Sequence, residues 1–309
     1  MVGAPLRHLR FIRKPHSSDK GLYIQQYRFQ RTATFYKSYQ FHTWTKHHMA
    51  NQSFLSLFET QDDPSSISAV AQTITLSFVG DPLIRWLRPS AAPWSTQQHE
   101  TTKWQYRRVQ QAILEGIVLR STPATQLAQE FPTRSQPKDP LTSVTEINDG
   151  KEGLEAGTVA LLFPPKSRQT WTLNRMVLAV KLWFLSWFDR VSDNGANEKR
   201  IEILLDAHDR ALKMITTRYN VKDPWYLEVI AVHPSLQGRG LGKIMVERIL
   251  DYVGHAPVVL ECTAERNVGF YTTLGFEVIE KVELADSGEA VSCWFMLRRA
   301  TQKEDSSSQ

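Results

Sequence analysis

The chain has 309 residues, a formal net charge of +5 and 41% hydrophobic residues, a composition typical of a soluble globular protein with one large or two small domains. Its two cysteines, Cys262 and Cys293, lie in strand-like runs, which excludes a disulfide scaffold and predicts two buried thiols in a reducing compartment such as the cytoplasm. No apolar run of the sequence reaches the length of a membrane span.

The positive charge is confined to the N-terminal part of the chain. Residues 1–48 hold nine Lys and Arg residues against one acid, Asp19, a net charge of +8, whereas residues 49–309 carry −3. The body therefore gives no electrostatic reason to expect a nucleic-acid partner. For this basic leader, expected to be disordered, three hypotheses stay open: a mitochondrial transit peptide, a basic tail that touches RNA or anionic lipid, and a gene model extended upstream of a start at Met49, which we favour.

The first secure element is a helix that begins at Asp63-Pro64, with Asp as its cap and Pro in its first turn, and ends near Phe78. A second helical stretch is predicted over residues 97–119. Residues 122–153 are rich in Pro, Thr, Ser and Gln and predict a long loop or a partly disordered insertion. A strand is expected over residues 158–163, where two prolines end it.

Two more helices are predicted over residues 173–191 and 198–219. The first contains the most apolar run of the chain, residues 176–188, which is too short for a membrane span and contains Lys181. We interpret this run as a buried amphipathic helix. Residues 300–309 predict a disordered tail.

The most informative segment is a strand that ends in a glycine-rich turn and feeds a helix. Residues 225–232 are dense in aromatic and β-branched residues, and Pro234 ends the strand. A helix is expected to begin near Gly238 and to stop at Gly254. The glycines then lie at a helix N-terminus, where unpaired amides carry partial positive charge, so an anion is expected at residues 238–243.

Two better-known glycine motifs do not fit this turn. The nucleoside triphosphate loop would need glycine at Gln237 and a hydroxyl residue at Ile244. The dinucleotide fingerprint would need glycine at Lys243. Both classes of nucleotide site are therefore disfavoured.

A second element follows about 30 residues later. After a strand-like run at residues 258–262, Asn267 is a good helix cap, residues 268–274 allow two helical turns, and Gly275 is suited to a left-handed C-cap before another strand. Tyr271 would lie on this short helix beside the strand ends. It is either a packed half-buried aromatic or a residue whose hydroxyl faces a bound cofactor.

Together these two elements resemble the GNAT acyltransferase superfamily. Gln237-Gly238-Arg239-Gly240-Leu241-Gly242 is similar to its Q/R-x-x-G-x-G/A signature, and the segment from Asn267 to Phe276 is similar to the N-x-x-[AG]-x-x-[FY]-Y-x-x-x-G-F element that follows. The earlier segments FVGDPLIRWLRP and VALLFPP resemble a fungal and bacterial branch of the superfamily.

The resemblance implies a single acetyltransferase domain over residues 62–299. The implied fold is α+β: a mixed, mostly antiparallel sheet, flanked by helices, whose parallel fourth and fifth strands splay apart around acetyl-CoA. The first helix and the segment around Trp86 would help to form the acceptor pocket. No metal is implied. The residues implied to bind the cofactor are Ile230, Ala231, Val232, Gln237, Gly238, Arg239, Gly240, Leu241, Gly242, Lys243 and Asn267.

Direct attack of an amine on a thioester needs a neutral amine, and an alkylamine has a pKa of about 10.4, so a base is required. Glu228 is the candidate: on a regular strand it shares a face with Ile230 and Val232, beside the splay. The alternative is a structural ion pair for Glu228. The resemblance implies that Tyr271 is the general acid for the departing thiolate.

The favoured function is an N-acetyltransferase that moves an acetyl group from acetyl-CoA to a primary amine of a small molecule or peptide. Two alternatives stay open. One is an acyl-CoA-binding module without turnover, and the other is an adaptor acting through residues 1–48. The sequence decides neither the acceptor nor the oligomeric state, and the expected location is the cytoplasm, or the mitochondrion if the leader is a transit peptide.

Overall fold

The computed structural model describes residues 55–89, 94–132, 155–188 and 196–300. The basic leader, the tail beyond residue 300 and residues 133–154 of the predicted insertion lie outside the described residues, as do residues 189–191 of a predicted helix. The expectations for those segments therefore stay predictions.

Seven strands form one sheet in the order β1-β2-β3-β4-β5-β7-β6. The strands are β1 (Phe58–Glu59), β2 (Ile117–Arg120), β3 (Thr158–Phe163), β4 (Trp225–Val232), β5 (Val258–Cys262), β6 (Glu277–Asp286) and β7 (Glu289–Arg298). Neighbouring strands are antiparallel except for β4 and β5, which are parallel. The predicted fold class is thereby confirmed.

Eight helices of the described ranges flank this sheet. They are α1 (Pro64–Ser77), α2 (Pro82–Leu87), α3 (Trp94–Glu115), α4 (Ala124–Glu130), α5 (Leu173–Phe188), α6 (Glu198–Arg218), α7 (Leu241–Val253) and α8 (Glu265–Thr273). Helices α4, α7 and α8 pack on one face of the sheet, called here the α7 face. Helices α1, α2, α3 and α6 cover the other, the α1 face.

The parallel strands β4 and β5 separate halfway along their length. They pair only at Trp225 with Val258, Tyr226 with Val259 and Leu227 with Leu260. Beyond those pairs, β4 continues to Val232 while hydrogen bonded only to β3 on its other side. Five residues of β4 thus border an open gap, which joins the α7 face to the α1 face.

A bulge in β4 lies at the mouth of this gap. Leu161 of β3 opposes Val229 and Leu162 opposes Leu227, so Glu228 is the extra residue. The bulge interrupts the alternation of side chains: Val229 packs in the core of the α1 face, and Glu228 points to that same face, where it meets α3. The prediction that Glu228 shares a face with Ile230 is therefore wrong, because Ile230 packs on the α7 face.

The two Asp-Pro pairs near the start of the described chain begin helices. Asp63 caps α1 by accepting from the amide of Ser66 at 2.9 Å, as predicted. This hydrogen bond lowers the pKa of the Asp63 carboxyl to about 2. Asp81 caps α2 through the amide of Ile84 at 3.0 Å, and its other oxygen accepts from the hydroxyl of Thr263 just beyond β5. Asp81 therefore anchors α2 to the end of β5.

Three predicted elements need correction. The stretch predicted as helix over residues 97–119 divides into α3 and β2, with the change at Gly116. Helix α4 lies within the part of the chain predicted to be a loop. Helix α5, predicted to be buried, exposes most of its apolar side chains. By contrast, strands β3, β4 and β5 have the predicted bounds, and both cysteines are buried free thiols.

A buried ion cluster joins the β6–β7 hairpin to the helices of the α1 face. Arg200 of α6 donates to the carbonyl of Trp86 at 2.7 Å and contacts the Asp286 carboxylate at 3.3 Å. Lys199 also contacts Asp286. The Arg200 guanidinium stacks 5.2 Å from the Trp86 ring. Trp86 is 5% exposed and lines a cavity of about 460 Å³ together with Arg85, Pro89, Glu289 and Ala290. That the region around Trp86 helps to form the acceptor pocket stays a prediction.

Candidate active site

The turn between β4 and α7 presents a row of backbone amides. Gly238 and Gly240 have φ of 78° and 77°, a left-handed conformation that favours glycine. Among the described residues, none accepts a hydrogen bond from the amides of residues 238–242. Successive amides in such alternating conformations form a concave nest that suits an anion, and the α7 N-terminus adds its partial positive charge.

A cleft of about 340 Å³ extends from this nest along the α7 face. Its lining residues are Ile230, Val232, Leu236, Gln237, Gly238, Gly240, Leu241, Gly242, Lys243, Asn267, Phe270 and Tyr271. Ten of the residues predicted to bind cofactor or to act in catalysis are therefore brought together. Ala231 is not among them, because alternation buries its side chain on the opposite face.

Gly242 lies where α7 approaches the cleft. A Cβ atom placed there would lie 3.6 Å from a Val232 methyl carbon and 3.9 Å from the Phe270 ring, both ordinary contacts with cleft residues. Alanine would therefore fit at this position, whereas a longer side chain would extend into the cleft.

Each of the three polar side chains of the turn contacts another part of the protein. The Arg239 guanidinium donates to the carbonyls of Phe131 at 2.6 Å and Ser235 at 2.9 Å, so it holds the C-terminus of α4 and does not face the cleft. The side-chain amide of Gln237 donates to the Val232 carbonyl at 3.1 Å. Lys243 lies 3.8 Å from Glu247 and is largely exposed, while its own amide donates to the Gly240 carbonyl. Arg239 thus contributes only its backbone amide to the nest.

Asn267 lies in the cleft but does not cap α8. The helix begins two residues earlier, with Ala264 in the cap position and no side-chain cap. The predicted left-handed C-cap at Gly275 is present, with φ of 86°. The Asn267 side chain therefore remains available to a ligand in the cleft.

Tyr271 stands between the aromatic rings of Phe270 and Phe276, at centroid distances of 5.0 and 5.9 Å. Tyr271 lines the cleft, and no hydrogen bond joins its hydroxyl to another described residue. Burial, with a smaller contribution from Cys262, raises the pKa of this phenol well above its usual range. Tyr271 is therefore neutral at physiological pH and can only donate a proton or a hydrogen bond to an anion beside it.

Glu228 lies across the gap, on the α1 face. Its carboxylate is 2.9 Å from the Arg108 guanidinium of α3, and the two side chains are 12% and 26% exposed. Arg108 in turn stacks 5.6 Å from the Trp104 ring. The structural ion pair weighed as the alternative for Glu228 is thus present, and it also holds the carboxylate at the splay.

A second carboxylate at the splay was missed by sequence reasoning. Glu261 directly follows Leu260, the last residue of β5 that pairs with β4. Its carboxylate accepts from the Tyr226 hydroxyl at 3.2 Å and contacts Nδ1 of His208 on α6. The His208 and Tyr226 rings are 5.4 Å apart and edge-on. The available signal was the single acid in the apolar strand VVLEC, but nothing in the sequence pairs it with His208.

The site therefore has two unlike halves joined by the gap between β4 and β5. The α7 face offers an anion nest, an apolar cleft and a neutral phenol. The α1 face offers Glu228 and Glu261, each held by a basic partner. Such an arrangement can hold an extended anionic ligand on one face while carboxylates handle protons on the other.

Within the described ranges, no cluster of three or more His, Cys, Asp or Glu side chains is arranged to hold a metal ion. Among the helices in those ranges, none combines the length and apolarity needed to span a bilayer.

Several solved acetyltransferases share low sequence identity with this chain. A Corynebacterium glutamicum protein described as histone acetyltransferase HPA2 and related acetyltransferase is 15% identical, with a TM-score of 0.46 over 81% of this chain and 98% of its own. A polyamine N-acetyltransferase from Drosophila melanogaster is 15% identical, with a TM-score of 0.41 over 78% and 99%. Arylalkylamine N-acetyltransferase 2 from Aedes aegypti is 11% identical, with a TM-score of 0.44 over 79% and 99%.

A further similarity is local and covers the site itself. It runs from within α6 through β4, the anion nest, α7, β5 and α8 to Phe276, and so includes both Tyr271 and Glu228. Over residues 204–276 the chain matches the model of the acetyltransferase (GNAT) family.

Proposed function

We propose that this chain is an N-acetyltransferase of the GNAT superfamily, which moves an acetyl group from acetyl-CoA to a primary amine within a ternary complex. The observation that carries the proposal is the nest of unpaired amides at residues 238–242, opening into a cleft that reaches the gap between β4 and β5. The family match over the same residues supports it.

The chemical groups along the cleft match the successive parts of acetyl-CoA. Five free amides suit the pyrophosphate, since a phosphate oxygen binds backbone N–H groups at a helix N-terminus. Beyond its last pair with β5, the edge of β4 suits the amides of pantetheine, which can pair with it as a strand would. When bound, acetyl-CoA would supply the activated acetyl thioester.

Two side chains of this chain have roles in the acetyl transfer, one as a base and one as a hydrogen-bond donor. Glu228, on the α1 face, would take a proton from the ammonium form of the acceptor, which must be neutral to attack. Tyr271, on the α7 face, would hydrogen bond to the thiolate as it departs. Because its pKa is raised, full proton transfer from Tyr271 is unfavourable, and we assign it the role of hydrogen-bond donor rather than of a complete acid.

Glu261 with His208 is the competing base. The pairing between β4 and β5 ends at Leu227 and Leu260, so Glu228 and Glu261 are the first residues beyond it on their strands. Its neighbour His208 has a second ring nitrogen, Nε2, that bonds no described residue, so the pair can accept a proton without first breaking an ion pair with arginine. Glu228 remains the primary assignment because it lies on the strand that also borders the cleft.

The deciding experiment is titration calorimetry of acetyl-CoA into the full chain and two Gly242 variants. Gly242→Ala adds a methyl group with ordinary contacts and should keep the affinity within about threefold, or 0.7 kcal/mol. Gly242→Glu places a longer, negatively charged side chain in the cleft and should weaken binding by about 100-fold or more.

These two variants share a position with ordinary helical φ, so neither strains the backbone as a substitution at Gly240 would. Micromolar binding that only the glutamate abolishes supports the cofactor assignment and justifies a screen of primary amines for turnover. If a folded wild-type chain binds no acetyl-CoA, the nest is only a structural turn and the proposal fails.

A further inference from the structure

Helix α5 carries an unusual surface. Ten large hydrophobic side chains are recorded as exposed in the described residues, and seven of them belong to this one helix. They are Leu173, Met176, Val177, Val180, Trp183, Phe184 and Phe188, with exposed fractions from 51% to 83%. We call this set the α5 stripe.

The stripe is organised as a helical packing surface. Its members recur at spacings of three and four residues, so they line one side of the helix over its full length. The other side is already used: Leu178 is 2% exposed, and α5 packs against α3. The apolar pattern therefore extends around both sides of the helix, and the outer side stays largely exposed.

The area is that of a protein interface. A large aromatic side chain offers about 150–250 Å² when fully exposed, so the seven residues together expose on the order of 800 Å². The largest apolar patch on a typical monomer is about 300–600 Å². A stable complex of standard size buries about 800 Å² on each partner, which this stripe supplies.

The charges near the stripe disfavour an ionic partner. Lys181 is tied to Asp62 at 2.8 Å. Arg175 turns inward and donates to the carbonyls of Gly116 and Thr170. The two cations of α5 are thus engaged by the protein body, which leaves no cation of the helix poised for lipid phosphates or an acidic peptide. The suitable partner is another uncharged apolar surface.

We propose that the α5 stripe pairs with the α5 stripe of a second copy of this chain, in an antiparallel arrangement about a two-fold axis. The N-terminal half of the stripe is mainly aliphatic, whereas Trp183, Phe184 and Phe188 form an aromatic cluster at the other end. Antiparallel pairing sets bulky rings against slimmer side chains and keeps the helix separation even. A parallel pair would set rings against rings at one end only.

The first test is sedimentation velocity of the full chain from about 1 to 100 µM, a range that brackets a micromolar Kd. The wild-type chain should become dimeric, and Val180→Glu combined with Phe184→Glu should stay monomeric throughout. Val278→Glu, at an exposed valine of β6, is the matched control and should dimerise as the wild type does. Circular dichroism should be the same for all three proteins.

The second test is disulfide trapping, which reports the geometry. Val180 lies at the middle of α5, so an antiparallel two-fold pair brings Val180→Cys close to its own copy and should yield a covalent dimer. Leu173→Cys would lie about 21 Å from its copy, at 1.5 Å per residue, and should yield none. The native cysteines are buried and give little background.

Each remaining outcome contradicts the proposal in a distinct way. A wild-type chain that is monomeric at every concentration rules out self-pairing, and binding of that monomer to phospholipid vesicles would assign the stripe to a membrane surface. A dimer that survives the double substitution places the interface elsewhere. Trapping through Leu173→Cys as well as Val180→Cys would show a parallel pair. Acetyl-CoA binding should be the same in monomer and dimer, so this test is independent of the proposed function.

Discussion

At the scale of single residues, the ring and the hydroxyl group of Tyr271 have different functions in the site. The Tyr271 ring packs against Phe270 and Phe276, and the residue also lines the cleft. Its hydroxyl is therefore a candidate hydrogen-bond donor to a ligand atom.

Replacing Tyr271 with Phe should therefore separate chemistry from binding. The ring contacts are preserved, so the affinity for acetyl-CoA and the thermal stability should change little. Because the departing thiolate loses its donor, kcat should fall by about 100-fold. Steady-state kinetics with any accepted amine, together with calorimetry, measures both quantities. An unchanged kcat would reduce Tyr271 to a packing residue.

The choice between Glu228 and Glu261 can be made with paired amide substitutions. Glu228→Gln should lower kcat by about 100-fold or more, since the base is lost while the shape is kept. Glu261→Gln should lower it by less than tenfold. The reverse order, accompanied by a similar loss in His208→Gln, would move the base to β5. If the wild-type chain binds acetyl-CoA but turns over no amine, so that none of these substitutions has a rate to change, the chain is an acyl-CoA-binding module.

At the scale of elements, the sequence predicts best where a regular pattern of side chains ends at a proline or glycine that stops the strand or helix. Strand β4 is defined by its β-branched residues and by Pro234, and α7 by its apolar stripe and Gly254, so both were predicted closely. The bulge at Glu228 was not, because two residues opposite one leave no mark on an alternating pattern. Its consequence is large, since it moves the carboxylate to the other face.

Two other differences have local physical causes. Helix α3 changes to β2 at Gly116, where a Cβ atom would lie 2.7 Å from the Leu162 carbonyl oxygen, so only glycine permits the close approach. That glycine was the signal for the missed strand. For α5, helical spacing of apolar residues shows which side chains share a face, but it does not show whether the surface that they meet belongs to the same chain.

At the scale of the whole molecule, one face of the sheet carries the anion nest and its cleft, and the other is held together largely by charged side chains. The α7 face contains an apolar core beneath the anion nest. The α1 face is crossed by polar contacts: Arg108 pairs with Glu228, His208 contacts Glu261, and Arg200 and Lys199 pair with Asp286. The last group joins helices α2 and α6 to the β6–β7 hairpin, so the integrity of the α1 face should depend on pH.

Asp286 gives that dependence a definite sign. Hydrogen bonds from Lys199 and Arg200 hold the pKa of its carboxyl below the ordinary value. A carboxyl whose pKa is lower in the folded state stabilises the fold above its ordinary pKa of about 3.9 and loses that contribution as the pH falls below it.

Asp286→Asn keeps the shape and the acceptor oxygen but not the charge. Urea denaturation should therefore show the wild type to be more stable than the variant at pH 7, with the difference shrinking steadily below about pH 4. A difference that is constant from pH 7 to pH 3 would mean that the carboxylate charge of Asp286 does not stabilise the α1 face.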